Sequence, residues 1–347
     1  MTLKEFFRRW LMNKDNFSYL VTNFFSMYLN HELGVSQNTS KSYRDAFVLY
    51  IKFLDEKNIC KPSKFNTEFF NVKYITFFLE WVENERHSSI STRNQRLAAL
   101  KSFSNYAIRE RPEDFYNYQG ILKIHSKKAP KKAVEYLSVD SIACLLNQPD
   151  LSTTYGMRDL AMLSLMYESG CRIQELLDLS VGNLYLGTPA TVKLCGKGNK
   201  SRIVPLSKQV AKIIGQHINS KPELDQMSFL FSNKQGNPLT RAGFAYILNK
   251  HVTTAKLASP ELYPKHVHPH MLRHSKAMHL LENGVNLIYI RDILGHESVT
   301  TTEIYARCNP EIKRKYILEA STIIDGVVED YSDIKKESLL SWLKETL

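Results

Sequence analysis

Between Ile121 and Lys132 the chain carries Lys123, Lys127, Lys128, Lys131 and Lys132 with no acidic residue, and Pro130 interrupts any helix. Such a stretch cannot build a core, because its charges repel and it holds too little apolar surface to offset the entropy of ordering it. A chain divided in this way must fold on either side of the division. The expectation is two domains joined by a basic linker at 121–135, and 347 residues are enough for two separate cores.

N-terminal to the linker the apolar positions recur at helical spacing over 17–33, 38–57, 71–84 and 88–109. Val72, Ile75, Phe78, Leu79 and Val82 form one such stripe. Asn38-Thr39 and Ser88-Ser89 read as helix caps. Residues 1–120 are therefore expected to form an all-α bundle. Lys41, Arg44, Arg93 and Arg96 fall on the polar faces of its second and fourth helices. Solvated faces and contacts to an anionic partner both fit that placement.

C-terminal to the linker the pattern changes. Ser138-Val139-Asp140 caps a short helix, and an apolar helix over 157–168 is ended by Gly170, which puts Arg172 at the start of the next. Residues 191–194 and 201–204 read as strands joined by Gly196-Lys197-Gly198-Asn199-Lys200, a glycine-rich hairpin. Residues 239–244 open another helix. Further on, His270 and Arg273 lie one helical turn apart, and Leu294-Gly295-His296 precedes Tyr305.

Arg172, Lys197, His270, Arg273, His296 and Tyr305 together suit a phosphodiester attacked by a tyrosine. Two arginines grip non-bridging phosphate oxygens with paired donors and keep their charge at physiological pH. They would stabilise a pentacoordinate transition state, at about 3 kcal/mol or more for each donor. A tyrosine hydroxyl, with an ordinary pKa of about 10, must be positioned and deprotonated as it attacks. A histidine does this. The departing deoxyribose oxygen needs a proton, which a lysine on a loop supplies. Neither a metal nor any other cofactor is required.

In this set and its order the chain resembles the tyrosine recombinases of the phage integrase and Xer type. Arg-x-x-Glu after a Gly-Cys turn, His-x-x-Arg, Leu-Gly-His and Tyr are each weak patterns that gain force together. The resemblance implies a SAM-like helical core-binding domain that clamps DNA, and a mixed, mainly α catalytic domain with a small β-sheet at 136–320. It further implies cleavage through a 3′-phosphotyrosyl link that conserves bond energy without ATP, with Glu175 supporting the site from behind. Lys197 takes the place of the family's general acid. Lys200 and Arg202 beside it, and Lys127, Lys128, Lys131 and Lys132 in the linker, are expected on backbone phosphate. Thr240 and Arg241 open the helix that the family lays in the major groove. The implied partner is a duplex recombination site bound by a synaptic tetramer, with accessory proteins in some members. A mobile-element integrase or transposase is the leading role. A chromosome or plasmid dimer resolvase, a type IB topoisomerase and an inert DNA-binding protein are the alternatives.

A formal charge of +11 agrees with a polyanionic partner. No apolar run approaches a membrane span, and the first residues lack the pattern of a signal peptide. Five cysteines with no CxxC spacing are expected in a reducing, cytoplasmic setting. The run His266-Val267-His268-Pro269-His270-Met271-Leu272-Arg273-His274 invites a zinc reading through His270 and His274, but no carboxylate or thiolate stands at ligand spacing. The tail, 321–347, holds six carboxylates against three lysines and ends in the apolar set Ile334, Leu339, Leu340, Trp342 and Leu343. It is expected to dock on a neighbouring protomer, with packing on its own domain as the alternative.

Overall fold

The computed structural model describes residues 17–130, 134–196, 200–221, 223–233, 235–296, 298 and 302–305. The chain divides between residues 131 and 132 into two compact units. Lys131, Lys132, Lys197 and the tail at 321–347 lie outside the described residues.

The first unit is a helical bundle. Helix α1, Phe17–Asn23, continues as a π-helical segment, Phe24–Glu32, in place of the uniform α-helix expected over 17–33. Bonds spanning five residues bring positions five apart onto one face. That register buries Phe24 and Leu29 together. Helix α2, Gln37–Glu56, is capped by Ser36, whose hydroxyl accepts from the Thr39 amide, two residues before the expected cap at Asn38. Helix α3, Val72–Asn84, buries Ile75, Phe78, Leu79 and Val82, whereas Val72 is partly exposed and lies over Gly120. Helix α4, Ile90–Glu110, starts at Ser89, and α5 is Phe115–Leu122. Phe103 of α4 sits in an aromatic core, edge-on to Phe24, Phe47 and Phe70 at ring distances of 5.3, 5.2 and 5.1 Å.

The bundle reaches further along the chain than the lysine pattern suggests. Ile121 is fully buried. Beyond it the Asn94 side chain accepts from the Lys127 amide at 3.1 Å and donates to the Lys127 carbonyl at 2.7 Å. Residues 121–127 are thus bound to the helical unit, because Ile121 and Ile124 pack on its core and the Lys127 backbone finds partners on α4.

The second unit surrounds a three-stranded antiparallel sheet in the order β1-β2-β3. Helices α6, Val139–Leu146, and α7, Thr154–Ser169, precede α8, Ile173–Leu177. Strand β1, Leu184–Tyr185, has no counterpart in the sequence reading, since two residues carry no periodicity. Strands β2, Thr191–Cys195, and β3, Ser201–Pro205, pair with Leu194 opposite Arg202. Helices α9, Lys208–Asn219, α10, Arg241–Ala258, α11, Pro269–Glu282, and α12, Leu287–Leu294, follow the sheet. Helix α7 is buried on several sides, with Ala161, Met162, Leu163, Leu165 and Met166 all inaccessible, and forms the spine of this core.

Candidate active site

Two helix ends create the site. Gly170 ends α7 at φ +57°, and a side chain there would press on Leu294 at 2.8 Å. The reversal delivers Arg172 as the residue that begins α8, with its amide donating to Glu175 Oε2 at 2.9 Å. Gly295 ends α12 at φ +65°, and a Cβ there would lie 2.8 Å from Arg202 Nη1.

The last carbonyls of a helix have no donor within the helix, and they form the negative end of its dipole. Three arginines meet this need at the end of α12. Arg202 Nε donates to Ile293 O at 2.7 Å, Arg273 Nη2 to Leu294 O at 2.7 Å, and Arg172 Nη2 to Gly295 O at 3.0 Å. Arg273 also donates from Nη1 to Gly170 O at 2.6 Å, which ties the end of α7 to the end of α12.

Glu175 neutralises part of this charge. Its Oε1 accepts from Arg172 Nη1 at 2.9 Å and Arg202 Nη1 at 3.1 Å, and its Oε2 from Arg202 Nη2 at 2.7 Å. Burial by itself would raise the carboxyl. Hydrogen bonds from Arg202 and Arg172 outweigh burial and hold Glu175 below the ordinary carboxylate range. Burial, followed by the neighbouring Arg172, pushes Arg273 down to about 10, so it remains charged at neutral pH. The Arg172 side chain is 39% exposed, whereas Arg273 is 4% exposed. One arginine faces outward and the other forms the floor.

Tyr305 lies in the helical residues 302–305 and is 1% exposed. Its hydroxyl is 3.0 Å from His274 Nδ1. The His296 ring lies nearly parallel to the phenol, with centroids 6.4 Å apart and planes at 11°, and its Nδ1 is 2.9 Å from Thr302 Oγ1. Burial first, then Arg273 and Arg172, pushes His296 down to about 4. Burial first, then His270 and His268, does the same to His274. Both rings are therefore neutral at pH 7. His270 is exposed at the rim, where partial desolvation and then Arg273 lower its pKa.

The structure thus brings Arg172, Glu175, Arg273, His296 and Tyr305 together, with His270 beside them. The remaining expected contacts divide. Lys41, Arg44, Lys128, Lys200, Thr240 and Arg241 are exposed; Thr240 caps α10 by accepting from the Gly243 amide, and Arg241 Nε donates to Gln174 Oε1 at 2.8 Å. Arg202 departs from expectation: its guanidinium is spent on Glu175 and Ile293, with 13% of the side chain exposed, so it supports the site from within. Arg93 departs as well, being 7% exposed and bonded to the His125 carbonyl, because the chain leaving α5 packs over it. Arg96 is half-buried and donates to Ser42 O at 3.3 Å, and Lys127 Nζ pairs with Glu83 at 2.7 Å.

Two residues take parts that the sequence does not assign them. In the sequence His274 reads only as a zinc partner of His270, and its spacing of i+4 on the same helix is the available signal. Arg202 lies opposite Leu194 on a strand and reaches Glu175 through a helix end that no local pattern foretells. Among the described residues no group of three or more His, Cys, Asp and Glu is placed to hold a metal, and no helix is long and apolar enough to cross a membrane. Cys60, Cys144, Cys171 and Cys195 are free thiols.

Comparison with known proteins agrees with this architecture. The phage integrase family model matches residues 135–311, and the model of the phage integrase N-terminal SAM-like domain matches residues 22–111. The chain is 36% identical over 302 residues to the "Putative integrase/recombinase y4rC" of Sinorhizobium fredii, a match covering 87% of this chain and 91% of that one. To the tyrosine recombinase XerD of Listeria innocua it is 31% identical over 287 residues, covering 81% and 91%. Its fold is similar to that of the Tn1549 transposon integrase in complex with a circular intermediate DNA, with a TM-score of 0.64, 17% identity, and coverage of 86% of this chain and 98% of that one. A SAM-like helical domain followed by a mainly helical domain with a small antiparallel sheet is the fold of this chain, similar to that of the transposon integrase.

Proposed function

The chain belongs to the phage integrase family of tyrosine recombinases, and from that premise we propose that Tyr305 attacks a phosphodiester in duplex DNA and carries the 3′ end as a phosphotyrosyl ester. The enzyme is a tyrosine site-specific recombinase. The observation that carries the residue assignment is the meeting of Arg172, Arg273 and Tyr305 at the ends of α7 and α12, with Glu175 holding the outer arginine.

In this reading Arg172 and Arg273 bind the non-bridging oxygens and stabilise the charge that gathers on them as phosphorus becomes pentacoordinate. Their carbonyl partners fix the guanidinium planes beforehand, so little reorganisation remains for the transition state. His270 at the rim contacts the phosphate, and the flat His296 ring orients the phenol. Lys197 protonates the departing 5′-oxygen. Rejoining is the reverse, with a 5′-hydroxyl attacking the phosphotyrosine, so neither ATP nor metal is consumed.

Exposed Lys41, Arg44, Lys128, Lys200, Thr240 and Arg241 supply further contacts to DNA, together with the linker lysines Lys131 and Lys132. Synapsis of two sites takes four protomers in the cytoplasm, on nucleoid DNA, with the tail at 321–347 passed to a neighbouring protomer. Movement of a mobile element is the role we favour, consistent with similarity to y4rC. Similarity to XerD supports a second reading, resolution of replicon dimers. Accessory proteins would decide the direction of exchange.

The test is covalent trapping. Wild-type protein mixed with sheared DNA of its source and denatured should yield DNA joined to Tyr305, and Tyr305→Phe should yield none while still binding DNA. Sequencing the trapped ends gives the site. Two copies on one circle then test resolution, and copies on separate molecules test integration.

A further inference from the structure

We infer that His274 is a catalytic residue of this recombinase, the base that takes the phenolic proton from Tyr305 during cleavage and returns it during rejoining. The inference rests on the proposed role of Tyr305 and adds a residue to it. Three observations place His274 there. Its Nδ1 is 3.0 Å from the Tyr305 hydroxyl, a hydrogen-bond distance. The His296 ring lies nearly parallel to the phenol with centroids 6.4 Å apart, and its Nδ1 is engaged with Thr302 Oγ1 at 2.9 Å. His270 lies one turn before His274 on α11, and its ring neighbours are His268 at 6.5 Å and His274 at 6.4 Å.

With His274 as its Nε2–H tautomer, the Tyr305 hydroxyl donates to the lone pair on Nδ1. As Tyr305 Oη bonds to phosphorus, its proton passes to Nδ1 and the bond from phosphorus to the 5′-oxygen breaks. The leaving oxygen takes its proton from Lys197. Rejoining reverses each transfer, so a full cycle neither gains nor loses protons. The groups that face His274 are His268, His270 and Arg273 along α11, His296 after α12, and Tyr305 itself. Burial first, and then the neighbouring His270, His268 and Arg273, keep the ring neutral and its lone pair open before DNA arrives. A phosphate anion seated among these neighbours would offset their repulsion and raise the proton affinity of Nδ1 when it is needed.

The probe is a nicked duplex carrying the site recovered by covalent trapping, cleaved in a single turnover by the full chain. Wild-type cleavage should be nearly independent of pH from about 6 to 9, since the base is already unprotonated. His274→Ala should be slower by about a hundredfold or more at pH 7, and its rate should climb about tenfold per pH unit as solvent deprotonates the phenol. His274→Asn places an amide oxygen near the Nδ1 position without a basic nitrogen, and should share that slope. A 5′-bridging phosphorothiolate, whose leaving group needs no proton, should rescue Lys197→Ala and leave His274→Ala slow. Gel-shift binding of the same duplex verifies that each variant is folded.

An adduct formed by Tyr305→Phe would overturn both this inference and the reading on which it rests. With no adduct there, a His274→Ala rate within about threefold of wild type would overturn the inference alone. So would full activity of His274→Asn, which would reduce the contact to orientation, or rescue of His274→Ala by the phosphorothiolate, which would make it an acid. A wild-type rate that itself rises about tenfold per pH unit overturns it without any variant.

Discussion

Replacing Glu175 by Gln would leave Arg172, Arg202 and Arg273 gathered around one helix end with no carboxylate among them. The amide keeps one acceptor where the carboxylate offers two oxygens to two guanidiniums. Removing one partner of a buried ion pair costs roughly 3–5 kcal/mol when the other stays buried. The amide retains some hydrogen bonding, so about 2–3 kcal/mol is the expectation for Glu175→Gln in urea unfolding. Arg172 would lose its lateral support, and a displacement of about 1 Å in a positioning group is worth roughly a hundredfold in rate. Adduct formation at saturating DNA should fall by about that factor, with DNA affinity little changed. Unaltered cleavage would show that Gly295 O alone positions Arg172. The residue types of this pocket were legible in the sequence because phosphoryl transfer needs arginines, a nucleophile and a proton donor. The turn from Arg202 to Glu175 was not, since a strand residue beside a basic hairpin reads equally well as facing DNA.

At the level of elements, α7 depends on a buried polar knot away from the pocket. Asp159 Oδ1 accepts from Arg158 Nε at 3.0 Å and Nη2 at 2.7 Å, and Oδ2 lies 3.0 Å from His251 Nε2 on α10. Burial alone would raise the Asp159 carboxyl, but hydrogen bonds from His251 and Arg158 prevail and lower it. A lowered carboxyl adds stability that is fully present above its unfolded pKa and is lost as pH falls through the folded one. Asp159→Ala should cost roughly 3–5 kcal/mol in urea unfolding at pH 7, by stranding Arg158 and His251. The loss should shrink toward pH 3, and a constant difference would locate the cost in packing. Helix boundaries were readable from apolar period and capping serines, as at Ser89 and Ser138. The π-helical register of Phe24–Glu32 was not, because only tertiary burial of Phe24 and Leu29 distinguishes it from an α-helix.

For the molecule as a whole, acid should destabilise through the site. His274 and His296 are both pushed down to about 4, by burial first and then by neighbouring cations. In the unfolded chain an ordinary histidine titrates at about 6.5. Between those values the unfolded state binds more protons, so stability contributed by the neutral rings is intact above pH 6.5 and declines toward pH 4. Chemical unfolding across that range should show the decline, and His296→Asn should reduce it. Salt tests the DNA-facing charge: replacing Lys127, Lys128, Lys131 and Lys132 should flatten the log–log salt dependence of binding by roughly 0.9 for each lysine that meets a phosphate. Pairing of Lys127 with Glu83 predicts a total nearer three contacts than four. Deleting residues 326–347 should leave binding to one site intact and impair cooperative binding and strand exchange, as native gels and a two-site assay would reveal.

Three guanidiniums rest on the main-chain oxygens of residues 293, 294 and 295, and a main-chain oxygen belongs to every amino acid. Substitution at 293 or 294 cannot delete such an acceptor; it can only alter how the helix packs. Information about the pocket is therefore unevenly written along this short run. A library randomised at 293 and 294 should retain recombination with many apolar residues of similar volume. At 295 nearly every change should fail, since a side chain there meets both an unfavourable φ of +65° and the Arg202 guanidinium at 2.8 Å. Sequencing such a library before and after selection for recombination would measure that contrast.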